Sequence, residues 1–147
     1  MDEIDQKILR ETQANGRISH TDLGRKVGLS ASAAQRRVQE LERQGVIVGY
    51  RAVVNPSSIG NDFTAYIGVG LNNHTKQTQL SFERAMIAAR EVRECHGVAG
   101  TLEYLLRVKV ASLAAYKSFH TDVLGALSQV ASITTYAVLG SPKDERG

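Results

Sequence analysis

Hydrophobic residues in the first 44 positions recur at the three- and four-residue spacings of amphipathic helices. Three such stripes follow one another along the chain: Ile4-Ile8-Leu9, Leu23-Val27 and Ala34-Val38-Leu41. Acidic residues begin the first stripe, where the positive end of a helix dipole favours them, and Asn15-Gly16 is a stop signal after it. The pattern therefore predicts three helices, the third over residues 31–44.

A short turn, Gly28-Leu29-Ser30, separates the second predicted helix from the third. Glycine tolerates a positive φ there, and the Ser30 hydroxyl is suited to accept a hydrogen bond from a backbone N–H in the first turn of the next helix. Two short helices joined in this way form a helix-turn-helix, which presents its second helix to the major groove of DNA. The sequence therefore predicts a DNA-binding unit in its first part.

The residues predicted to face DNA are those of the third helix that lie off its buried stripe. The candidates are Ser30, Ser32, Ala33, Gln35, Arg36, Arg37 and Arg43. Gln and Arg pair bidentately with adenine and guanine, so base contacts are expected from Ser32, Gln35 and Arg36. Arg37 and Arg43 are expected to contact phosphates. The alternative is an ordinary solvated helix face, but the first two turns of this helix carry no acid.

The apolar pattern changes after the third helix. Residues 46–54 are rich in β-branched side chains, which predicts a wing or hinge strand. Residues 55–61 are rich in Asn, Pro, Ser and Gly and predict a linker. The chain is thus divided into a winged helix-turn-helix domain at 1–54, a second domain at 62–140 and a tail at 141–147.

The second domain begins with a two-residue alternation that marks a strand, in which apolar residues alternate with Thr64, Tyr66, Gly68 and Gly70. Later patterns predict a helix at 76–90, strands at 91–99 and 103–111, a helix capped by Ser112, and a strand at 130–139. This β-α-β-β-α-β order is typical of the ferredoxin-like α+β fold. Because both helices cover one face of the sheet, the other face needs cover, which favours self-association.

Composition narrows the class of protein further. The 147 residues carry a formal charge of +3 and include one cysteine, Cys95, so an intramolecular disulfide is excluded and an intracellular setting is favoured. The chain contains no apolar run near the roughly 20 residues of a membrane helix. Its acidic N-terminus has no signal-peptide character. A soluble, cytoplasmic protein without membrane partners is expected.

Short motifs in both predicted domains are similar to those of one known family. They include Asp5-Gln6-Lys7-Ile8-Leu9, Gly16-Arg17-Ile18-Ser19, Val27-Gly28-Leu29-Ser30, Arg36-Arg37-Val38, Gly49-Tyr50, Glu94-Cys95-His96 and Tyr104-Leu105-Leu106-Arg107. Together they resemble the Lrp/AsnC regulators, the leucine-responsive or feast/famine family, to about Leu139. The resemblance implies a prokaryotic transcription regulator that binds double-stranded DNA. It also implies an amino-acid-binding RAM domain and a homodimer that assembles into tetramers or octamers.

The same resemblance implies where an effector binds. The family loop between the second and third strands commonly reads Gly-Asp-x-Asp, and here it reads Gly100-Thr101-Leu102-Glu103. Thr101 replaces the first acid, and Glu103 is longer than the second by one methylene. The Glu103 carboxylate is expected to meet an effector ammonium, backbone N–H groups near Gly100 its carboxylate, and Tyr136 matches another effector-linked position. The alternative is that Glu103 is a solvated residue at a strand start.

The adjacent Cys95 and His96 are the other candidates for chemistry in this sequence. Cys95 and His96 are adjacent on a predicted strand and point to opposite faces, so a catalytic dyad or a metal site is not expected. No catalytic residue, metal or cofactor is predicted, apart from a possible amino-acid effector. Two alternatives stay open: an architectural DNA-binding protein without a ligand, and, much less favoured, a small oligomeric ferredoxin-like enzyme. The prediction is a sequence-specific transcription regulator that responds to an amino acid or a related small molecule.

Overall fold

A computed structural model describes residues 1–145 of the chain. The chain divides into two compact units, Met1–Val53 and Val54–Asp144. Of the predicted tail at 141–147, the last two residues lie outside the described part. Within residues 1–145, no helix has the length and apolar character needed to cross a membrane.

The first unit contains the three predicted helices: α1 Glu3–Ala14, α2 His20–Val27 and α3 Ala31–Arg43. Each begins at a side chain that accepts from a backbone N–H of its first turn, namely Asp2, Ser19 and Ser30. The predicted stripes form one core, whose buried members are Ile8, Leu23, Val27, Ala34, Val38 and Leu41. The helical prediction is therefore confirmed.

The turn between α2 and α3 is packed directly against α2. Gly28 ends α2 with a φ of +79°, a conformation that glycine adopts without strain. The Leu29 N–H donates to the Gly24 carbonyl at 2.8 Å. The turn lies so close that a Cβ added to Gly24 would be 2.5 Å from the Leu29 carbonyl oxygen. The position of α3 relative to α2 therefore depends on a glycine inside α2.

The strand predicted at 46–54 is not observed, and this prediction is wrong. The N–H groups of Val46 and Ile47 donate back to the Leu41 carbonyl and so finish α3. Beyond them the backbone has no ladder partner within residues 1–145, and Val48 and Val53 are each 93% exposed. The segment is rich in β-branched residues, which favour a strand, but a strand also needs a neighbouring strand with which to pair.

The second unit has the predicted β-α-β-β-α-β order. Its elements are β1 Phe63–Leu71, α4 Lys76–Ala88, β2 Val92–Gly97, β3 Tyr104–Val110, α5 Leu113–Phe119 and β4 Val130–Ala137. The four strands form one antiparallel sheet in the order β2-β3-β1-β4. A 3₁₀ turn, Pro56–Ile59, precedes β1, and α5 continues into a π-helical turn, His120–Leu124. Several elements are shorter by one to three residues than predicted, because the ends of helices and strands fray.

One face of the sheet packs against both helices and forms the core. Alternate residues of β1 and β3 are buried there, together with Phe82 and Met86 from α4 and Tyr116 and Phe119 from α5. The rings of Phe82 and Tyr104 lie 4.8 Å apart between centroids, and the Tyr104 hydroxyl donates to a Glu83 carboxylate oxygen at 2.6 Å. This core holds the sheet and helices in the predicted two-layer arrangement.

The opposite face of the sheet, called here the open face, is covered by no helix within the described residues. Tyr66, Leu105 and Tyr136 lie on it and are 47%, 43% and 61% exposed. The loop between β2 and β3 folds over another part of this face. The open face therefore combines exposed apolar side chains with the loop that the sequence predicts to bind an effector.

Candidate functional site

The first turn of α3 is fixed by its cap and is open to solvent. The Ser30 hydroxyl accepts from the Ala33 N–H at 3.2 Å and lies 3.3 Å from the Ser32 hydroxyl. Ser30, Ser32, Gln35 and Arg36 are exposed, whereas Ala33 is half-buried beside them. No acidic residue occupies this turn, so its backbone N–H groups and side chains present a surface suited to an anion.

The side chains of Gln35 and Arg36 point to solvent without a polar partner in the described part of the chain. Neither makes a hydrogen bond or ion pair with another residue in the described range 1–145, and both are exposed. Both side chains can form bidentate hydrogen bonds with base edges. Among the predicted base contacts, these two are therefore the side chains that have no internal hydrogen bond to break.

Arg37 has different surroundings from its neighbour. Its Nη1 atom lies 2.6 Å from an Asp2 carboxylate oxygen and 3.2 Å from one of Asp5. The hydrogen bond from the Arg37 guanidinium lowers the pKa of the Asp2 carboxyl below its usual value. The phosphate contact predicted for Arg37 stays a prediction, and it competes with two carboxylates.

Arg43 is also paired, but with an acid on its own helix. It donates from Nε and Nη2 to the two oxygens of Glu40, at 2.8 and 2.5 Å, and this lowers the pKa of Glu40 to about 2. Both side chains are exposed and lie three residues apart on one helix. Solvent screens an exposed pair of this kind, so Arg43 stays accessible to a phosphate beside Glu40.

The loop between β2 and β3 rests on the open face of the sheet. Leu102 fits over Gly68 so closely that a Cβ added to Gly68 would be 2.1 Å from the Leu102 Cδ1 atom. Gly100 and Thr101 are exposed beside it, and a Cβ added to Gly100 would meet nothing within 4 Å. Leu102 therefore anchors the loop and leaves Gly100 and Thr101 accessible.

Glu103 is built into the end of the sheet. One carboxylate oxygen accepts from the Leu71 N–H at 3.0 Å, and the other lies 3.4 Å from the Nδ1 atom of His74. Its own N–H donates to the Val69 carbonyl at 3.1 Å, and its side chain is 19% exposed. Glu103 is thus not a solvated residue at a strand start, because its carboxylate extends the hydrogen bonding of β1 beyond its last pair with β3.

Tyr136 does not lie beside Glu103 in the sheet. It pairs across the sheet with Tyr66, whereas Ser132, four residues earlier on β4, pairs with Gly70 beside Glu103. Four strand residues span about 13 Å. Sequence reasoning missed His74 and Ser132, since neither is near the loop in the sequence. The structure brings them beside Glu103 only through the fold.

Cys95 and His96 point to opposite faces, as predicted. Cys95 packs against the core opposite Leu106, and burial raises the pKa of its thiol. His96 is exposed on the open face, where its Nε2 atom lies 3.2 Å from an oxygen of Glu94. Glu94 also pairs with Arg107, which lowers the pKa of Glu94. In the described part of the chain, no three His, Cys, Asp or Glu side chains are placed to hold a metal ion.

Two family models match the chain, one to each unit. A model described as winged helix-turn-helix DNA-binding matches residues 1–48. A model described as the Lrp/AsnC ligand binding domain matches residues 64–147, which is more than half of the chain. The matched segments contain α3 and the loop between β2 and β3, respectively.

Individual relatives agree with these models over nearly the whole chain. The leucine-responsive regulatory protein of Haemophilus influenzae is 40% identical over 143 residues, which cover 97% of this chain and 86% of that protein. The structure of a Neisseria meningitidis transcriptional regulator in complex with L-Met has a TM-score of 0.93 and 30% identity, with 98% and 93% of the two chains covered. An AsnC family transcriptional regulator from Agrobacterium tumefaciens gives a TM-score of 0.91 and 29% identity, covering 98% and 94%. On the combined evidence of sequence, fold and matched domains, the chain belongs to the Lrp/AsnC family of transcription regulators.

Proposed function

We propose that this protein reads specific DNA sequences with α3 and changes its DNA binding when an amino acid occupies the loop between β2 and β3. The observation that carries the proposal is the free, exposed pair Gln35 and Arg36 on an acid-free first half of α3. The protein acts in the cytoplasm as a homo-oligomer, without a metal or other cofactor and without enzymatic activity.

The DNA contacts divide by position along α3. Ser32, Gln35 and Arg36 lie in its first two turns and face the base edges of the major groove. Ser30 and Ala33 lie beside them at the start of the helix, close to the sugar–phosphate backbone. Arg43 is at the far end of α3 and serves a phosphate beside Glu40.

Replacement of Arg36 by alanine is expected to weaken binding to a specific site by about 1–3 kcal/mol, with a much smaller loss on unrelated DNA. The specific site is one enriched by the wild-type protein from a random-sequence library. The comparison duplex is a scrambled version of equal length and composition. Fluorescence anisotropy at a fixed 0.1 M salt gives both affinities.

Arg84→Ala is the matched control, because it removes the same charge from an exposed position of α4. It is expected to leave the preference for the selected site unchanged. An equal loss on both duplexes in Arg36→Ala would make Arg36 a phosphate contact. Equal affinity of the wild-type protein for both duplexes would contradict sequence-specific regulation and favour an architectural role.

We propose that a second copy of the chain covers the open face. The exposed Tyr66, Leu105 and Tyr136 give this face the apolar character of an interface. A two-fold dimer presents two copies of α3 to half-sites about one helical turn apart. Dimers then assemble into tetramers or octamers.

The effector is proposed to be an amino acid bound by the loop. Its ammonium group shares the Glu103 oxygen that now lies near His74, an exposed side chain that is free to move aside. Its carboxylate is received by the N–H groups of residues 99–102, which donate to no acceptor within the described chain. The solved L-Met complex of the Neisseria regulator supports this ligand class. Tyr136 contributes to such a site from another copy, since in its own chain it lies four residues along β4 from Ser132, which is beside Gly70 and Glu103.

An amino-acid effector is expected to raise the melting temperature of the wild-type protein and to do so much less in Glu103→Ala. A ligand present at 100 times its Kd stabilises the folded state by about 2.7 kcal/mol. The twenty amino acids are titrated, beginning with L-leucine and L-methionine, and unfolding is followed by differential scanning fluorimetry.

Asp62→Ala controls for charge, since Asp62 is an exposed carboxylate of the same unit. It is expected to respond as the wild type does. The proposed effector site is wrong if no amino acid stabilises the wild-type protein, or if Glu103→Ala responds to the same extent as the wild type.

A further inference from the structure

A network of charged side chains joins the start of α1 to the middle of α3. Asp2 and Asp5 form a capping box: the Asp5 N–H donates to one Asp2 oxygen at 2.8 Å, and the Asp2 N–H donates to one Asp5 oxygen at 3.4 Å. The remaining oxygen of each carboxylate accepts from Arg37 Nη1, at 2.6 and 3.2 Å. Each of the four carboxylate oxygens therefore has a partner, and Arg37 completes the set.

The Arg37 network differs from the other arginine pairs of this unit. Arg25 with Asp22 and Arg43 with Glu40 each join residues three apart on one helix, and their side chains are largely exposed. Arg37 instead bonds to Asp2 and Asp5, which lie at the start of α1, 35 and 32 positions earlier in the chain. Its side chain is 35% exposed and that of Asp5 only 18%. An interaction between two helices, made by partly buried groups, constrains the orientation of one helix relative to the other.

The adjacent residue gives the contrast. Arg36 is exposed and makes no bond within residues 1–145, so it is available to DNA. Both carboxylates bind one guanidinium nitrogen, Nη1, so a phosphate at the remaining N–H groups of Arg37 would lie beside two negative charges that already offset its positive charge. The two neighbouring arginines therefore differ in their surroundings. Arg36 faces solvent, whereas Arg37 is bonded to the start of α1.

We infer that Arg37 is a positioning residue, which holds the recognition helix α3 against the start of α1 and does not contact DNA phosphate. The inference rests on the proposed reading of DNA by α3. It replaces the phosphate contact that the sequence predicts for Arg37. Asp2 and Asp5, which carry negative charge, then support DNA binding through Arg37 although they would repel DNA directly.

The two roles predict opposite changes in DNA affinity when the two carboxylates are removed. Under positioning, the double variant Asp2→Asn/Asp5→Asn weakens DNA binding about tenfold, and adding Arg37→Ala weakens it little further, because residues of one network are not additive. Under phosphate contact, the double variant frees Arg37, removes two negative charges and strengthens binding. Asp22→Asn is the matched control, since it removes a carboxylate from an exposed pair in the same unit.

The salt dependence of the DNA affinity gives a second readout, which separates positioning from a phosphate contact. Loss of one phosphate contact lowers the slope of log K against log salt concentration by about 0.9. Arg37→Ala is expected to keep the wild-type slope, and Arg37→Lys to recover part of the affinity. All affinities are measured at a temperature where circular dichroism shows each variant fully folded. Unchanged affinity of these folded variants would reduce the network to a stabilising role and overturn the inference.

The selected and scrambled duplexes separate this inference from the proposed function. Wild-type preference for the selected duplex tests sequence-specific regulation. The sign of the effect of Asp2→Asn/Asp5→Asn on either duplex tests the role of Arg37. Tighter binding than in Asp22→Asn, or a lower salt slope in Arg37→Ala, would overturn the positioning role even if the protein reads DNA as proposed.

Discussion

Gly24→Ala is expected to destabilise the helix-turn-helix unit by about 1–2 kcal/mol and to weaken DNA binding with it. Its Cβ would lie 2.5 Å from the Leu29 carbonyl oxygen and 3.1 Å from that of Ser30, and both are backbone atoms that cannot rotate away. Overpacking of this kind costs about 1–3 kcal/mol or more, which exceeds the gain of up to about 1 kcal/mol from alanine in a helix. The turn would have to move, and α3 would move with it.

Urea unfolding followed by circular dichroism, together with DNA anisotropy, checks this result. Gly49→Ala is the matched control, because a Cβ there meets nothing within 4 Å and its φ is not positive. It is expected to change the free energy of unfolding by less than about 0.5 kcal/mol. A Gly24→Ala variant at least as stable as the wild type would contradict the close approach of the turn to α2.

Phe82→Ala is expected to destabilise the second unit by about 3–5 kcal/mol, the usual cost of truncating a fully buried aromatic side chain. Phe82 is 0% exposed and packs on the Tyr104 ring at 4.8 Å, so its loss opens a cavity between α4 and the sheet. Urea unfolding at constant protein concentration measures the change, since self-association would make the midpoint concentration-dependent.

Ile87→Ala tests the same helix on its other side. Ile87 is 85% exposed on α4, so its truncation removes little buried surface. A change within about 0.5 kcal/mol is expected. Similar losses in Phe82→Ala and Ile87→Ala would show that α4 does not pack on the sheet through Phe82.

The elements that could be predicted are those whose signals lie within a few residues of one another. The three N-terminal helices each have an apolar stripe and a capping side chain, and β1 has a clean two-residue alternation. These are local patterns, so a single sequence contains them. The 46–54 segment has the composition of a strand but no partner within the described chain, and pairing is a tertiary property that composition does not encode.

The candidate site was predictable to the same extent. The exposed face of α3 follows from helical periodicity, and Gln35 and Arg36 lie there as expected. The partners of Arg37 and Glu103 are about 30 residues distant in sequence, so no local pattern reveals them. From the sequence, the helix dipole alone accounts for the acids at the start of α1. In the structure, Asp2 and Asp5 also bind Arg37 of α3.

Leu102 and Glu103 attach the loop between β2 and β3 to the open face rather than to the edge of the sheet, since Leu102 lies on Gly68 and Glu103 bonds to Leu71. On the proposed function, ligand occupancy and contact with a second copy therefore draw on one continuous surface. Any coupling between the two binding events is then reciprocal, so that each changes the free energy of the other by an equal amount. With such coupling, the apparent affinity for the amino acid would depend on protein concentration, and the response would follow the abundance of the regulator itself as well as its ligand.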